Sequence, residues 1–201
     1  MSRLNLRELA MMDSPARRWS QRLIELRVFQ RLLRRARIDL TGAAILDAGC
    51  GHGHGLALLD RTFHPSRLVG IDLMPEQIER ATRRGLAAEI RVGDITAIDE
   101  PTGAFDAVFV FGILHHVPAW RRAMTELARV LRPGGTLLVE ELHGTAAAWS
   151  DRVLGTSHPA AARFDWRAFR VGLADAGFTI AAETGLLLNA ARSFACIRGS
   201  T

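Results

Sequence analysis

Ile45-Leu46-Asp47-Ala48-Gly49-Cys50-Gly51-His52-Gly53-His54-Gly55 is the stretch that decides how the rest of this chain is read. It is a short apolar strand that ends in an acid, followed by a loop with glycine at every second position. Leu56-Ala57-Leu58-Leu59 then starts a helix. Strand, glycine-rich turn and helix are how an α/β sheet builds a nucleotide site. Glycine lets the backbone approach a ligand closely, and the helix start offers free N–H groups. A dinucleotide fingerprint needs Gly-x-Gly-x-x-Gly. Counted from Gly49, Gly51 or Gly53, the third required position is His54, Leu56 or Leu58, so that pattern fails in every frame. A nicotinamide dehydrogenase is disfavoured on that ground. Alone, a glycine-rich turn reads equally well as a bare structural loop.

Outward from this stretch, strands and helices alternate. Strands are expected at Ala43–Asp47, Leu68–Asp72, Glu89–Val92, Phe105–Phe111 and Thr136–Glu140. Pro75 opens a helix to about Arg84, and Trp120–Leu131 is a helix stopped by Pro133-Gly134-Gly135. Residues 143–164 read as irregular with room for a short helix. Trp166–Ala176 is helical, and Phe178–Glu183 with Ser193–Arg198 reads as a hairpin at the sheet edge. The pattern predicts an α/β, doubly wound, seven-stranded and mostly parallel sheet ending in an antiparallel hairpin. Ligands in such sheets lie beyond the carboxyl ends of the strands. Asp47, Asp72 and Asp94 stand at three successive strand ends, and Phe111-Gly112 ends the fourth. Each acid alone reads as a solvated loop residue. Three on one sheet edge point to a ligand, and an acid ending the second strand suits a ribose diol.

The 201 residues fit one domain, 1–201, with a core from residue 43 onward and a helical arm or lid over 1–40. The two cysteines, Cys50 and Cys196, have no metal or redox spacing and suit a reducing compartment. No run of about 20 apolar residues or signal core is present, so a cytoplasmic protein is expected. The net charge of +5 is uneven: residues 1–40 carry +6 and the remainder −1. All 26 basic residues are Arg, so part of the basicity is compositional. The near-neutral core argues against a nucleic-acid partner. Within the arm, Ser14-Pro15 looks like a helix start. Trp19, Leu23, Leu26, Phe29 and Leu33 form one helical stripe and Ile24, Val28 and Leu32 a second, beside Arg27, Arg31, Arg34 and Arg35. The plain reading is a helix docked on the sheet with its arginines in water. The sharper one is a lid or a peripheral contact with anionic lipid.

Taken in order, Asp47–Gly55, Val69–Asp72, Gly93-Asp94, Phe105-Asp106-Ala107-Val108 and Leu131-Arg132-Pro133-Gly134-Gly135 resemble the class I S-adenosylmethionine (SAM) methyltransferases. Ile113-Leu114-His115-His116-Val117 and Ala176-Gly177-Phe178 look like the ubiquinone/menaquinone-type, small-molecule branch. The likeness covers 43–141 well and 165–183 loosely; it leaves out 1–40 and 143–164. It implies a Rossmann-like sheet of order 3-2-1-4-5-7-6 with strand seven antiparallel. It also implies SAM as cofactor and a small or lipophilic acceptor. Gly49 and Gly51 would line the cofactor, Asp47 would sit near its amino group and Asp72 would hold the ribose hydroxyls. Leu73 and Met74 would flank the adenine, Asp94 and the Ile95 backbone would address its edge, and Phe111 would meet the methionine end through its carbonyl.

Should the acceptor need to lose a proton, His115, His116, Glu140, Glu141 and His143 are the candidate bases, with His116 and Glu141 ahead. A structural role competes for each. His52, His54 and His143 form no compact ligand set, so no metal is expected. Two other functions stay in competition: a phospholipid N-methyltransferase-like enzyme at the membrane surface and a non-catalytic SAM-binding protein. The oligomeric state is left open.

Overall fold

A computed structural model describes residues 26–200. The arm expected over 1–14, the Ser14-Pro15 helix start and the Trp19, Leu23 and Ile24 positions lie outside the described residues.

Seven strands form one sheet: β1 (Ala44–Ala48), β2 (Arg67–Asp72), β3 (Glu89–Val92), β4 (Phe105–Phe111), β5 (Leu131–Leu142), β6 (Phe178–Leu186) and β7 (Ala191–Arg198). Their order is β3-β2-β1-β4-β5-β7-β6. β1 to β5 are parallel, and β7 runs antiparallel to both β5 and β6. The register, with Asp47 opposite Gly70 and Phe109, brings the carboxyl ends of β1, β2 and β4 to one edge.

The helices are α1 (Leu26–Ala36), α2 (His54–Phe63), α3 (Pro75–Thr82), α4 (Trp120–Val130), α5 (Gly144–Leu154) and α6 (Trp166–Asp175). Strand side chains alternate between two apolar layers. Leu46, Ala48, Val108, Val110, Leu137 and Val139 pack with Trp120, Met124 and Leu127 of α4 and Phe169 and Leu173 of α6. Ile45, Ala107, Phe109 and Leu138 face the other way, against Phe29, Leu32 and Leu33 of α1 and Leu56 and Leu59 of α2. Burial on both faces explains why the strands are apolar runs rather than alternating ones. Gly70 of β2 lets α2 close in: a Cβ there would stand 2.6 Å from Leu56 Cδ1.

α1 lies on this second face. Leu26, Phe29, Leu32 and Leu33 are buried while Arg27, Arg31, Arg34 and Arg35 are exposed, as the plain docked-helix reading expects. The Phe29 ring packs against Phe109 and Phe111 at 5.8 and 5.4 Å.

The junction of α4 and β5 differs from expectation. α4 ends at Val130, because Leu131 already pairs with Phe105 in the sheet, and β5 runs from Leu131. At that end Asp106 of β4 accepts from Ala44 N at 2.8 Å and pairs with Arg132. Residues 144–154, expected irregular with a short helix, form three turns of α5. That helix buries only Ala147 and leaves Trp149, Val153 and Leu154 exposed, so it has no apolar stripe to read.

Candidate functional site

Each strand at the carboxyl edge delivers one expected residue. Asp47 is the penultimate residue of β1 and is 1% exposed, and among the described residues neither carboxylate oxygen has a hydrogen-bond partner. Burial, then the Asp72 charge, pushes its carboxyl up to about 8. Leaving a buried acid unbonded costs stability that packing does not return. The loop after it is tight. Gly49, Gly51 and Gly53 all have positive φ, at 88°, 52° and 79°. A Cβ on Gly49 would stand 2.4 Å from Ile113 Cδ1, and one on Gly55 would stand 2.7 Å from Asp47 Oδ2. The glycines thus leave a cradle beside an unsatisfied acid.

Asp72 at the end of β2 braces that cradle. Its Oδ2 accepts from Gly51 N at 3.0 Å and its Oδ1 from Met74 N at 2.9 Å. Burial raises its carboxyl, and those two backbone N–H groups oppose the rise. Each oxygen keeps one lone pair for a hydroxyl donor. Leu73 and Met74 follow, half-buried, at the start of α3. Asp94 makes a local turn: Oδ1 accepts from Thr96 N and Oγ1, both at 2.8 Å, which leaves Oδ2 for another donor. Ile95 is buried in the apolar core. Phe111 ends β4 with its ring toward α1, and a Cβ on Gly55 would lie 3.2 Å from it.

Beyond β4 and β5 the arrangement changes. Leu114–His116 is a single 3-10 turn, and Glu141 of β5 reaches under it. Glu141 Oε1 accepts from Ile113 N at 3.0 Å and Leu114 N at 2.7 Å. Its Oε2 accepts from His115 N at 3.3 Å and His115 Nδ1 at 2.7 Å. All four acceptor positions of this buried carboxylate are filled, so its geometry is that of a clamp on the turn rather than of a base open to an acceptor. His116 sits on the clamped turn, and its Nδ1 is buried without a partner among the described residues. Burial, then the His115 and His158 imidazoles, holds its pKa down at about 2, so it is neutral and a weak proton acceptor.

The other two candidate bases have structural partners. His143 Nδ1 accepts from Thr145 N and Oγ1 and caps α5, and Glu140 accepts from Ser193 Oγ at 3.0 Å. His52 and His54 stack on each other on the glycine loop, apart from His143 on α5's cap.

Sequence reasoning missed His158 and Asp151. His158 is buried, with Nδ1 on Asp151 at 2.5 Å, and Asp151 also pairs with Arg163 at 2.8 Å. Its ring lies 4.6 Å from His116 and 5.1 Å from His115. No spacing in the sequence signals this, because His116 and His158 meet only through the fold.

Residues 46–139 match the family model described as a methyltransferase domain. The ubiquinone biosynthesis O-methyltransferase of Xanthomonas oryzae pv. oryzae is 37% identical over 133 residues, 61% of this chain and 53% of that protein. The fatty-acid O-methyltransferase of Mycolicibacterium smegmatis is 41% identical over 105 residues, 51% of this chain and 38% of that protein. The chain thus spans about half, or less, of the length of these curated relatives. Among solved structures, a SAM-dependent methyltransferase from Aquifex aeolicus superposes with a TM-score of 0.75 at 18% identity, covering 97% of this chain and 99% of that one. That likeness speaks for the fold.

Proposed function

We propose that the chain carries a class I SAM-dependent methyltransferase domain and that it moves a methyl group from SAM to a small or lipophilic acceptor. One observation carries the reading: a fully buried carboxylate, Asp47, with both oxygens unbonded beside a glycine cradle. A buried acid without a partner fits a cationic ligand group, and the SAM amino group is one. The residues present therefore fit the cofactor. Asp47 would hold its amino group, Asp72 its ribose hydroxyls through the two spare lone pairs, and Asp94 Oδ2 its adenine amino group. Leu73, Met74 and Ile95 would line the ring, Gly49 and Gly51 would border the ligand, and the Phe111 carbonyl would meet the methionine end.

SAM would supply a methyl group on a sulfonium, whose neutral thioether is a good leaving group in an in-line displacement. The protein's work is then chiefly alignment, which supplies roughly 7–11 kcal/mol in well-oriented reactions. Glu141 fixes the Leu114–His116 turn that closes the acceptor side and acts as a positioning residue. His116 is the group on that turn nearest to the role of base, and its burial makes alignment the larger contribution. The relatives named for ubiquinone biosynthesis and for fatty acids favour an acceptor that is small or lipophilic.

The test is conversion of SAM to S-adenosylhomocysteine in the presence of quinol, phenol, fatty-acid and aminolipid acceptors. Turnover with one of them is the expected result. SAM binding with no turnover on any class would favour a non-catalytic SAM-binding protein.

Peripheral membrane contact is a second reading, favoured by the exposed row Arg27, Arg31, Arg34 and Arg35 on α1. Each arginine near an anionic surface contributes about 1 kcal/mol, screened by salt. Flotation with anionic vesicles at low salt should carry the protein upward, and replacing the exposed Arg27, Arg31, Arg34 and Arg35 with Gln, which spares the buried face of α1, should abolish it. Recovery of the intact protein in the soluble fraction would dismiss this reading. No helix among the described residues is long and apolar enough to cross a membrane.

A further inference from the structure

We propose that His115, His116 and His158 form a binding site for a first-row divalent transition ion of the zinc type. One ring nitrogen of each lies within 4.8 Å of the others, and no other His, Cys, Asp or Glu trio among the described residues is so arranged. Nitrogens bound to one tetrahedral zinc stand about 3.4 Å apart, for bonds of about 2.0–2.1 Å. The three rings need to close by little more than 1 Å, which side-chain torsions supply.

The outer contacts are those a metal-bound imidazole needs. His115 Nδ1 is held by Glu141 at 2.7 Å and His158 Nδ1 by Asp151 at 2.5 Å. A carboxylate on one ring nitrogen fixes the tautomer and leaves the other nitrogen as a lone-pair donor. His116 brings a buried Nδ1 that has no partner. The carboxylates of Glu141 and Asp151, the latter shared with Arg163, also offset part of the charge of a divalent ion.

A plainer account makes each histidine a hydrogen-bonded core residue. It fits His115 and His158 taken singly. It leaves three imidazoles with ring centres 4.3–5.1 Å apart, two pairs tilted and one stacked, and one buried nitrogen unsatisfied, which is costly unless something cationic lies between them.

Three nitrogen donors favour zinc, cobalt or nickel over magnesium or calcium, which require oxygen ligands. Three protein ligands also leave a tetrahedral ion one position for water or for an oxygen of the acceptor. The site follows Phe111 by a few residues, on the acceptor side of the proposed cofactor cradle. An ion there would tie the segment after α5 to the turn after β4. Binding of the ion does not depend on methyl transfer, so SAM titration tests the function separately.

The experiment uses the full chain stripped with a chelator and titrated with Co2+. The expected result is one equivalent bound with the intense visible bands of a tetrahedral nitrogen-ligated ion, displaced by Zn2+. Zn2+ should raise Tm and Mg2+ should not. His116→Asn and His158→Asn should each weaken Zn2+ binding at least 100-fold, and Asp151→Asn, which spares the ligands, should weaken it about 10–100-fold. Should a variant fold poorly, the wild-type Co2+ spectrum decides alone. Absence of the visible bands, or bands that persist unchanged in folded His116→Asn and His158→Asn proteins, would overturn the site.

Discussion

Asp47 and Glu141 are equally buried carboxylates, each 1% exposed, near the ends of β1 and β5, two strands of one sheet with β4 between them. Asp47 makes no hydrogen bond among the described residues, whereas Glu141 accepts four. The difference separates two kinds of acid. Glu141 stabilises the fold by holding three backbone N–H groups and an imidazole, and it has nothing left to offer a substrate. Asp47 weakens the cofactor-free fold, and its unmet bonding capacity is what a cationic ligand would use. The same contrast extends outward. The ends of β1, β2 and β3 keep acceptor capacity in reserve at Asp47, Asp72 and Asp94. The ends of β4 and β5 gather imidazoles around an acid already satisfied.

The contrast breaks most visibly at Glu141. Glu141→Gln turns an amide NH2 toward groups that are themselves donors, in a buried place. It should cost about 3 kcal/mol in urea denaturation and lower turnover roughly 10²-fold by loosening the His116 turn. SAM affinity should stay within about twofold, since the cradle is untouched. Full stability together with full turnover would mean that the clamp does not hold the turn.

Gly51→Val attacks the other side. Gly51 has φ +52°, where a β-branched residue is strained by about 1–2 kcal/mol. Its N–H to Asp72 also ties the loop down. SAM binding should fall at least 100-fold while far-UV circular dichroism remains that of the parent; retained binding would place the ligand elsewhere.

Asp47→Asn gives the effect most sharply dependent on pH, absent near pH 4 and full only in alkaline solution. The native carboxyl has a pKa of about 8, against an unfolded value of about 3.9. Between those values the folded state holds the extra proton, so stability falls as pH rises through that window and levels off above it. The Asn variant should therefore melt like the parent near pH 4 and above it at pH 8.5. The gain in Tm is about 2–4 °C for each kcal/mol relieved. An equal shift at both pH values would show that Asp47 carries no charge penalty.

Much of the edge at the ends of β1, β2 and β3 was legible in the sequence, and for local reasons. β3 and β4 fall where their patterns place them, and β1, β2, β6 and β7 within a few residues. Asp47, Asp72 and Asp94 are read correctly as strand-end acids because a strand, an acid and a glycine turn are neighbours in the chain. The edge at the ends of β4 and β5 resisted reading because its contacts are distant. Glu141 looks like a free acid until the fold puts Ile113, Leu114 and His115 over it. His158 lies in a segment whose helix, α5, buries too little to show a stripe. The metal-free expectation came from His52, His54 and His143, while the histidines that meet are three others.

The central claim is that the acids at the ends of β1 and β2 hold SAM. Calorimetric titration of SAM into the parent and into Asp72→Ala tests it most directly. The parent should bind one equivalent, and Asp72→Ala should bind at least tenfold more weakly with its fold intact, for the loss of charge-assisted hydrogen bonds of about 1.5–3 kcal/mol. Unchanged affinity in Asp72→Ala, or no binding to the parent, would contradict it.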